Sequence, residues 1–279
     1  MKGKRSRLDV FLAVKGLSDS REKARRDIMA GWVRVNGETV REASHTVTGD
    51  ENITVERPGG LFVSRGGEKL NHALERFSLD LTGVTALDLG ASTGGFTDCM
   101  LKSGARRVYA VDVGYGQLDF SLRQDPRVVV MERVNARNLE PENFPERIDF
   151  ISMDLSFISV TKVTPHIRTL FAPVRGIILL KPQFEAEPGE HKKGVVKKRE
   201  NHEAILHRVL VELSRQGLEL LGLCPSPLKG PAGNIEFLLF FSMDAGDPGA
   251  GADMKHESIN AMVERAVTEA HETLNIRPE

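Results

Sequence analysis

The stretch that decides the fold is ALDLGASTGGFTD, from Ala86 to Asp98. Apolar residues around Asp88 run into Gly90, Gly94 and Gly95, with Ala91, Ser92 and Thr93 between the glycines. A helix-compatible segment opens at Phe96. Strand, tight glycine turn and helix start, in that order, bring backbone close to a nucleotide-like ligand. The spacing G-x-x-x-G-G departs from the G-x-G-x-x-G of dinucleotide binders.

Outward from this turn, short apolar runs alternate with helical segments. Strands are expected over 86–89, 108–112, 128–131, 150–153, 176–180, 220–223 and 236–242. Helices are expected over 68–77, 96–103, 118–124, 161–171 and 202–216. Such alternation argues a mostly parallel sheet with helices on both faces, binding its ligand beyond the carboxyl ends of the strands. Asp112 ends the second strand, with Val113 beside it, where a carboxylate can hold two ribose hydroxyls. After the third strand, Asn135 and Ala136 are placed to border an adenine ring. No hydride-transfer constellation follows, so S-adenosylmethionine suits the turn better than a nicotinamide cofactor.

Ahead of this lies a small basic module. Residues 1–34 hold ten basic side chains against four acidic ones, although the whole chain has a net charge of only −1. A basic end on a near-neutral chain suggests a polyanion met at that end. Leu8, Phe11, Leu12 and Val14 share one helical face, and Ser18 and Ser20 offer caps to a second helix over 20–30. Val33 to Val35, the Asn36-Gly37 turn and a strand over 47–55 complete a compact α+β unit. Arg5, Arg7, Arg21, Lys23, Arg25 and Arg26 are its candidate phosphate contacts. Pro58-Gly59-Gly60 and Gly66-Gly67 mark a joint.

Four ionisable residues carry the chemistry. Asp154 and Lys181 follow the fourth and fifth strands at the ligand edge, Glu236 opens the last strand, and Lys69 starts the helix before the sheet. Taken singly, each has an ordinary structural reading as a helix cap or a terminal ion pair.

Together they resemble the K-D-K-E tetrad of FtsJ-type ribose 2′-O-methyltransferases. The first 55 or so residues resemble an S4 RNA-binding domain through Arg7-Leu8-Asp9, the helix around SREKAR (20–25) and GWVRVNG (31–37). The strings SRGGEKL (64–70), VDVGYGQL (111–118), MDLSFIS (153–159), LLKPQFE (179–185) and GPAGNIEF (230–237) extend the likeness to the TlyA family, also labelled haemolysin. The resemblance implies a Rossmann-like class I methyltransferase with a mostly parallel seven-stranded sheet and a small N-terminal S4 domain. Its expected layout is an S4 domain over 1–56, a linker over 57–67, the methyltransferase domain over 68–243, a spacer over 244–255 and an amphipathic helix over 256–279. The implied function is S-adenosylmethionine-dependent 2′-O-methylation of cytidine ribose in ribosomal RNA, with ribosomal RNA or subunits as partners.

A free lysine titrates near about 10.4, so a lysine base needs help from its surroundings. Lys181 is assigned as base or hydroxyl-steering group and Lys69 as the neighbouring cation, with Asp154 and Glu236 orienting them. Asp154 also faces the donor. Lys192 and Lys193 offer a second basic patch near this edge. An RNA- or ribosome-binding protein without catalysis is the rival reading, and a pore-forming haemolysin is a third.

Cys99 and Cys224 give neither a disulfide framework nor metal spacing, and both sit in apolar contexts. His191, His202 and His207 have no metal partner set and are expected at the surface. No metal is expected. Without an apolar run near about 20 residues or a signal peptide, the expectation is a cytoplasmic protein with no membrane contact. Ile259, Met262, Val263, Ala266, Val267 and Ala270 mark the apolar face of a docking helix.

Overall fold

The computed structural model describes residues 5–18, 20–55, 61–244 and 256–274, with backbone alone for 256–258. The break at Pro58–Gly60 and almost all of the expected spacer lie outside the described residues. The chain divides into two compact units, Met1–Arg65 and Gly66–Glu279.

The first unit runs β1 (Ser6–Arg7), α1 (Leu8–Val14), α2 (Arg21–Met29), β2 (Val33–Val35), β3 (Glu38–Val40), β4 (Thr46–Val47) and β5 (Ile53–Val55). The Ser20 hydroxyl accepts from the Lys23 amide at 3.1 Å and starts α2. Asn36 and Gly37 both take positive φ, +52° and +84°, which turns β2 back along β3. Leu8, Leu12, Ala24, Ile28, Val33 and Val47 form the core. The single strand expected over 47–55 is two strands. β4 pairs with β1 and β5 with β2. The Glu51 carboxylate accepts from the Thr48 and Gly49 amides, and Gly49 sits at φ +89°, so a turn interrupts the run.

The second unit takes in α3 (Arg65–Arg76) from its second residue onward. It continues with β6 (Thr85–Leu89), α4 (Gly95–Lys102), β7 (Arg107–Asp112), α5 (Phe120–Gln124), β8 (Val128–Glu132) and β9 (Phe150–Met153). Then come α6 (Thr164–Phe171), β10 (Val174–Leu180), α7 (Pro182–Glu185), α8 (Arg199–Arg215), β11 (Leu218–Pro225), β12 (Phe237–Met243) and α9 (His256–Leu274). The helix expected over 161–171 is a 3-10 turn, Val160–Lys162, followed by α6, whose start carries Pro165.

The sheet order is β11-β12-β10-β9-β6-β7-β8. Only β12 runs antiparallel, inserted between β10 and β11. From β6 the chain winds first to β7 and β8, then crosses to β9 and β10, so the switch point lies between β6 and β9. Every residue of β6 is buried, as a strand covered on both faces requires. Ile259, Val263, Ala266, Val267 and Ala270 of α9 join the core beside α8 and β11.

His202 corrects an expectation. It is fully buried on α8, with its Nδ1 3.1 Å from Nε2 of His271 on α9 and its ring edge-on to Phe237. Burial, then the neighbouring His271, push the imidazole down to about 4. The folded state thus holds His202 neutral, and this stability is lost as pH falls from the ordinary 6.5 toward 4. Asp88 has the opposite sign. Burial raises its carboxyl to about 7 against hydrogen bonds from Thr97 and Ser152, so its contribution fades as pH rises from 3.8 toward 7. Between about pH 7.5 and about pH 5, His202→Gln is expected to remove about 2 kcal/mol of the acid-induced loss of stability. Urea unfolding at the two pH values measures it, and an acid loss equal to that of the unsubstituted protein contradicts the assignment. His191 is exposed and His207 half-buried. Cys99 and Cys224 are buried, and burial pushes both thiols up to about 12, out of reach of ordinary thiolate chemistry.

Candidate active site

A cavity of about 440 Å³ opens at the switch point. It is lined by the β6 turn (Gly90, Ser92), the end of β7 (Asp112, Val113, Gln117), the segment after β8 (Val134, Asn135, Ala136) and the segment after β9 (Asp154 to Ile158). Gly90 has φ +85°, and a Cβ there would stand 2.4 Å from the Asp154 carbonyl oxygen. Glycine lets the two strand ends meet here. Gly90→Ala is therefore expected to destabilise the fold by at least about 1–2 kcal/mol, the cost of a left-handed alanine before any clash. Denaturant unfolding checks it, and unchanged stability refutes it.

The remaining turn residues divide by position. Asp112 accepts from the Ser92 amide at 2.8 Å and the Gly114 amide at 2.6 Å, which fixes its carboxylate at the cavity edge with lone pairs to spare. Asn135 accepts from the Arg137 amide at 3.0 Å and starts a 3-10 turn that carries Ala136. Asp88, Ala91, Thr93, Gly94, Gly95 and Phe96 do not line the cavity. Asp88 is wholly buried and accepts from Thr97 Oγ1 at 2.6 Å and Ser152 Oγ at 2.9 Å, tying α4 and β9 to β6. A Cβ on Gly94 would meet Leu118 and Leu122, so this glycine serves packing under the turn.

Two ion pairs hold the four charged residues, the first of them at the cavity wall through Asp154. Lys181 Nζ lies 2.5 Å from Asp154 Oδ1 and donates to Ser156 Oγ at 2.9 Å. Lys69 Nζ lies 2.5 Å from Glu236 Oε2, both nearly buried, across 167 residues of sequence. Gln183 leans toward the second pair, donating from Nε2 to Glu236 Oε1 at 3.4 Å. A Cβ on Gly230 would stand 2.3 Å from the other side of that oxygen, so glycine leaves room for the carboxylate. The Asp154 Oδ1 atom is buried and has no aligned hydrogen bond despite its close lysine. Asp154 thus belongs to both the cavity wall and the charged cluster, which places a ligand bound in the cavity next to Lys181.

Ser156, Gln183 and Asn234 escaped the sequence reading. Asn234 is buried, accepts from the Val196 amide at 3.0 Å and donates to the Gly194 carbonyl at 3.0 Å. It ties the exposed Lys192-Lys193 hairpin to the segment leading into Glu236. The GNIE string was visible, but a side chain whose partners lie 38 and 40 residues away leaves no local signal.

In the first unit, Asp9 is fully buried and accepts from Arg7 Nε at 3.0 Å and Arg21 Nε at 3.1 Å. The two guanidinium groups hold its carboxyl below the usual range. Arg5, Arg7, Arg21 and Arg25 are exposed, and Lys23 and Arg26 half-buried.

The model of the FtsJ-like methyltransferases matches residues 62–243, and that of the S4 domain residues 6–53. The chain is 43% identical over 244 residues to the 16S/23S rRNA (cytidine-2′-O)-methyltransferase TlyA of Mycobacterium tuberculosis, covering 85% of this chain and 90% of that one. It is 42% identical to Hemolysin A of Brachyspira hyodysenteriae, over 84% of this chain and 99% of that one. A solved structure described as a haemolysin from Streptococcus thermophilus superposes with a TM-score of 0.73 at 37% identity, covering 97% and 98% of the two chains. S-adenosylmethionine is the methyl donor of this family, and a cavity lined by Gly90, a fixed Asp112 and the Asp154 carboxylate fits it. The chain belongs to the FtsJ-like methyltransferases, with an S4 domain ahead of the catalytic fold.

Proposed function

We propose that this enzyme methylates a ribose 2′-oxygen of ribosomal RNA, at a cytidine. The observation that carries this reading is the pairing of Lys181 with Asp154 at the edge of the donor cavity, beside the Lys69–Glu236 pair. When bound, the sulfonium donor supplies an electrophilic methyl group. What remains is to hold a hydroxyl oxygen in line with it and take up the proton.

Lys181 and Asp154 are suited to that task. The Lys181 ammonium donates to Ser156 and is ion-paired with Asp154, and it can donate to one lone pair of the incoming hydroxyl, leaving the other directed at the methyl. Asp154 holds Lys181 in place and presents negative charge to the donor side. In this reading Glu236 and Lys69 support the acceptor side, a role that fits the bond from Gln183, two residues after Lys181, to Glu236. As the C–O bond forms and the donor's methyl–sulfur bond breaks, the hydroxyl proton passes to the Asp154 carboxylate, with Lys181 remaining the ammonium that steers the oxygen. Arg5, Arg7, Arg21, Lys23, Arg25 and Arg26 of the S4 domain, with Lys192 and Lys193 of the hairpin, supply contacts for RNA phosphates.

The name of the Mycobacterium tuberculosis relative, a 16S/23S rRNA (cytidine-2′-O)-methyltransferase, supports this reading. For the haemolysin label, no described helix is long and apolar enough to cross a membrane. The test incubates the protein with labelled S-adenosylmethionine and unmethylated ribosomal subunits, then maps 2′-O-methyl positions in the RNA. Label in cytidine ribose is the expected result. Label on a base, or none, overturns the proposal.

A further inference from the structure

The donor cavity has a rim that is aromatic and cationic. Tyr115 sits on the turn between β7 and α5 and is 69% exposed. The guanidinium carbon of Arg133, just after β8, lies 4.2 Å from the centre of its ring. One face of the tyrosine is therefore backed by a cation, and the other is open. No carboxylate pairs with Arg133 among the described residues, whereas the nearby Arg123 is paired with Glu132. The charge behind the ring is not neutralised.

The backbone holds this arrangement in place. The Arg133 amide donates to the Gly114 carbonyl at 3.0 Å, and the Gly116 amide to Glu132 Oε1 at 2.9 Å. These bonds lace the Tyr115 turn to the end of β8 on both sides of the ring. Arg133 itself adopts φ +60°, a left-handed conformation that costs energy in a residue with a side chain. Val113 and Gln117, on the same turn, line the cavity, so the rim is continuous with the donor site.

We infer that Tyr115 and Arg133 form a stacking platform for an unpaired nucleotide of the RNA adjoining the methylated residue. The inference rests on the reading of RNA as the substrate. An open aromatic face takes any base by π-stacking, and the guanidinium behind it adds attraction for a polyanion. A protein partner would call for a broader apolar patch than one ring and its cation. The platform would hold the strand beside the target and so act on RNA affinity, leaving the chemical step to the charged cluster.

The experiment measures methylation of unmethylated ribosomal subunits by the full chain and its Tyr115→Ala, Tyr115→Phe and Arg133→Ala variants, with donor affinity by calorimetry. Tyr115→Ala is expected to raise KM for subunits about tenfold with kcat and donor affinity unchanged, the scale of one lost base stack. Tyr115→Phe keeps the ring and is expected to match the unsubstituted protein. Arg133→Ala is expected to raise KM and make it less dependent on salt. An unchanged KM in Tyr115→Ala, or a donor affinity that falls in proportion, overturns the platform while leaving RNA as substrate. If the unsubstituted protein methylates no subunit, the substrate reading fails and the platform with it.

Discussion

Lys181→Ala is expected to cut methyl transfer by about a thousandfold while the protein still binds its donor. The lysine sits outside the cavity proper, tied to Asp154 and Ser156, so its loss leaves the glycine turn, Asp112 and the adenine-side residues untouched. What disappears is the group that steers the acceptor hydroxyl. Lys181→Arg is expected to remain strongly impaired. A planar guanidinium keeps the charge but cannot take the position of a compact ammonium between a carboxylate and a hydroxyl. Single-turnover methylation paired with calorimetric donor binding separates the two effects. Near-normal turnover in Lys181→Ala would remove this residue from the mechanism.

The second large effect concerns stability. Lys69 and Glu236 are both nearly buried, and each neutralises the other. Lys69→Met strands a carboxylate that is 1% exposed, and leaving one member of a buried pair alone costs about 3–5 kcal/mol. Replacing both, Lys69→Met with Glu236→Leu, is expected to recover most of that loss, since no buried charge then remains. Both variants are expected to lack activity. Denaturant unfolding checks the cycle. Equal stability in the single and double variants would show that the pair is not coupled as its geometry implies.

Much of the fold was legible because it rests on local chemistry. The apolar runs that became β6, β7, β9 and β10 lie between turn signals, and the glycine turn after β6 announces itself by spacing. Position along the chain was legible, but pairing was not. Nothing local to residues 237–243 says that they run antiparallel between β10 and β11, and that insertion brings Glu236 to Lys69. The same limit hid His202. Its helix reads as amphipathic with a histidine on it, and that ring is buried by Phe237 of β12 and His271 of α9, both distant in sequence. The split between β4 and β5 had a local cue in Thr48-Gly49-Asp50-Glu51, obscured by the valines on either side. Asp88 illustrates a further ambiguity. A carboxylate just before a glycine turn reads as a ligand contact, yet here it fastens the strands beneath the site.

The insertion of β12 also governs when the enzyme can exist. The chain emerges in order, and residues 66–225 can already pair five strands, β10-β9-β6-β7-β8, while β11 has no neighbour and Lys69 waits without its carboxylate. β12 then has to pair along β10 and recruit β11 on its other side before the tetrad is whole. An unfinished chain thus carries a donor cavity but no complete charged cluster. A copy still being synthesised therefore has its glycine turn and Asp112 before it has the carboxylate that Lys69 needs.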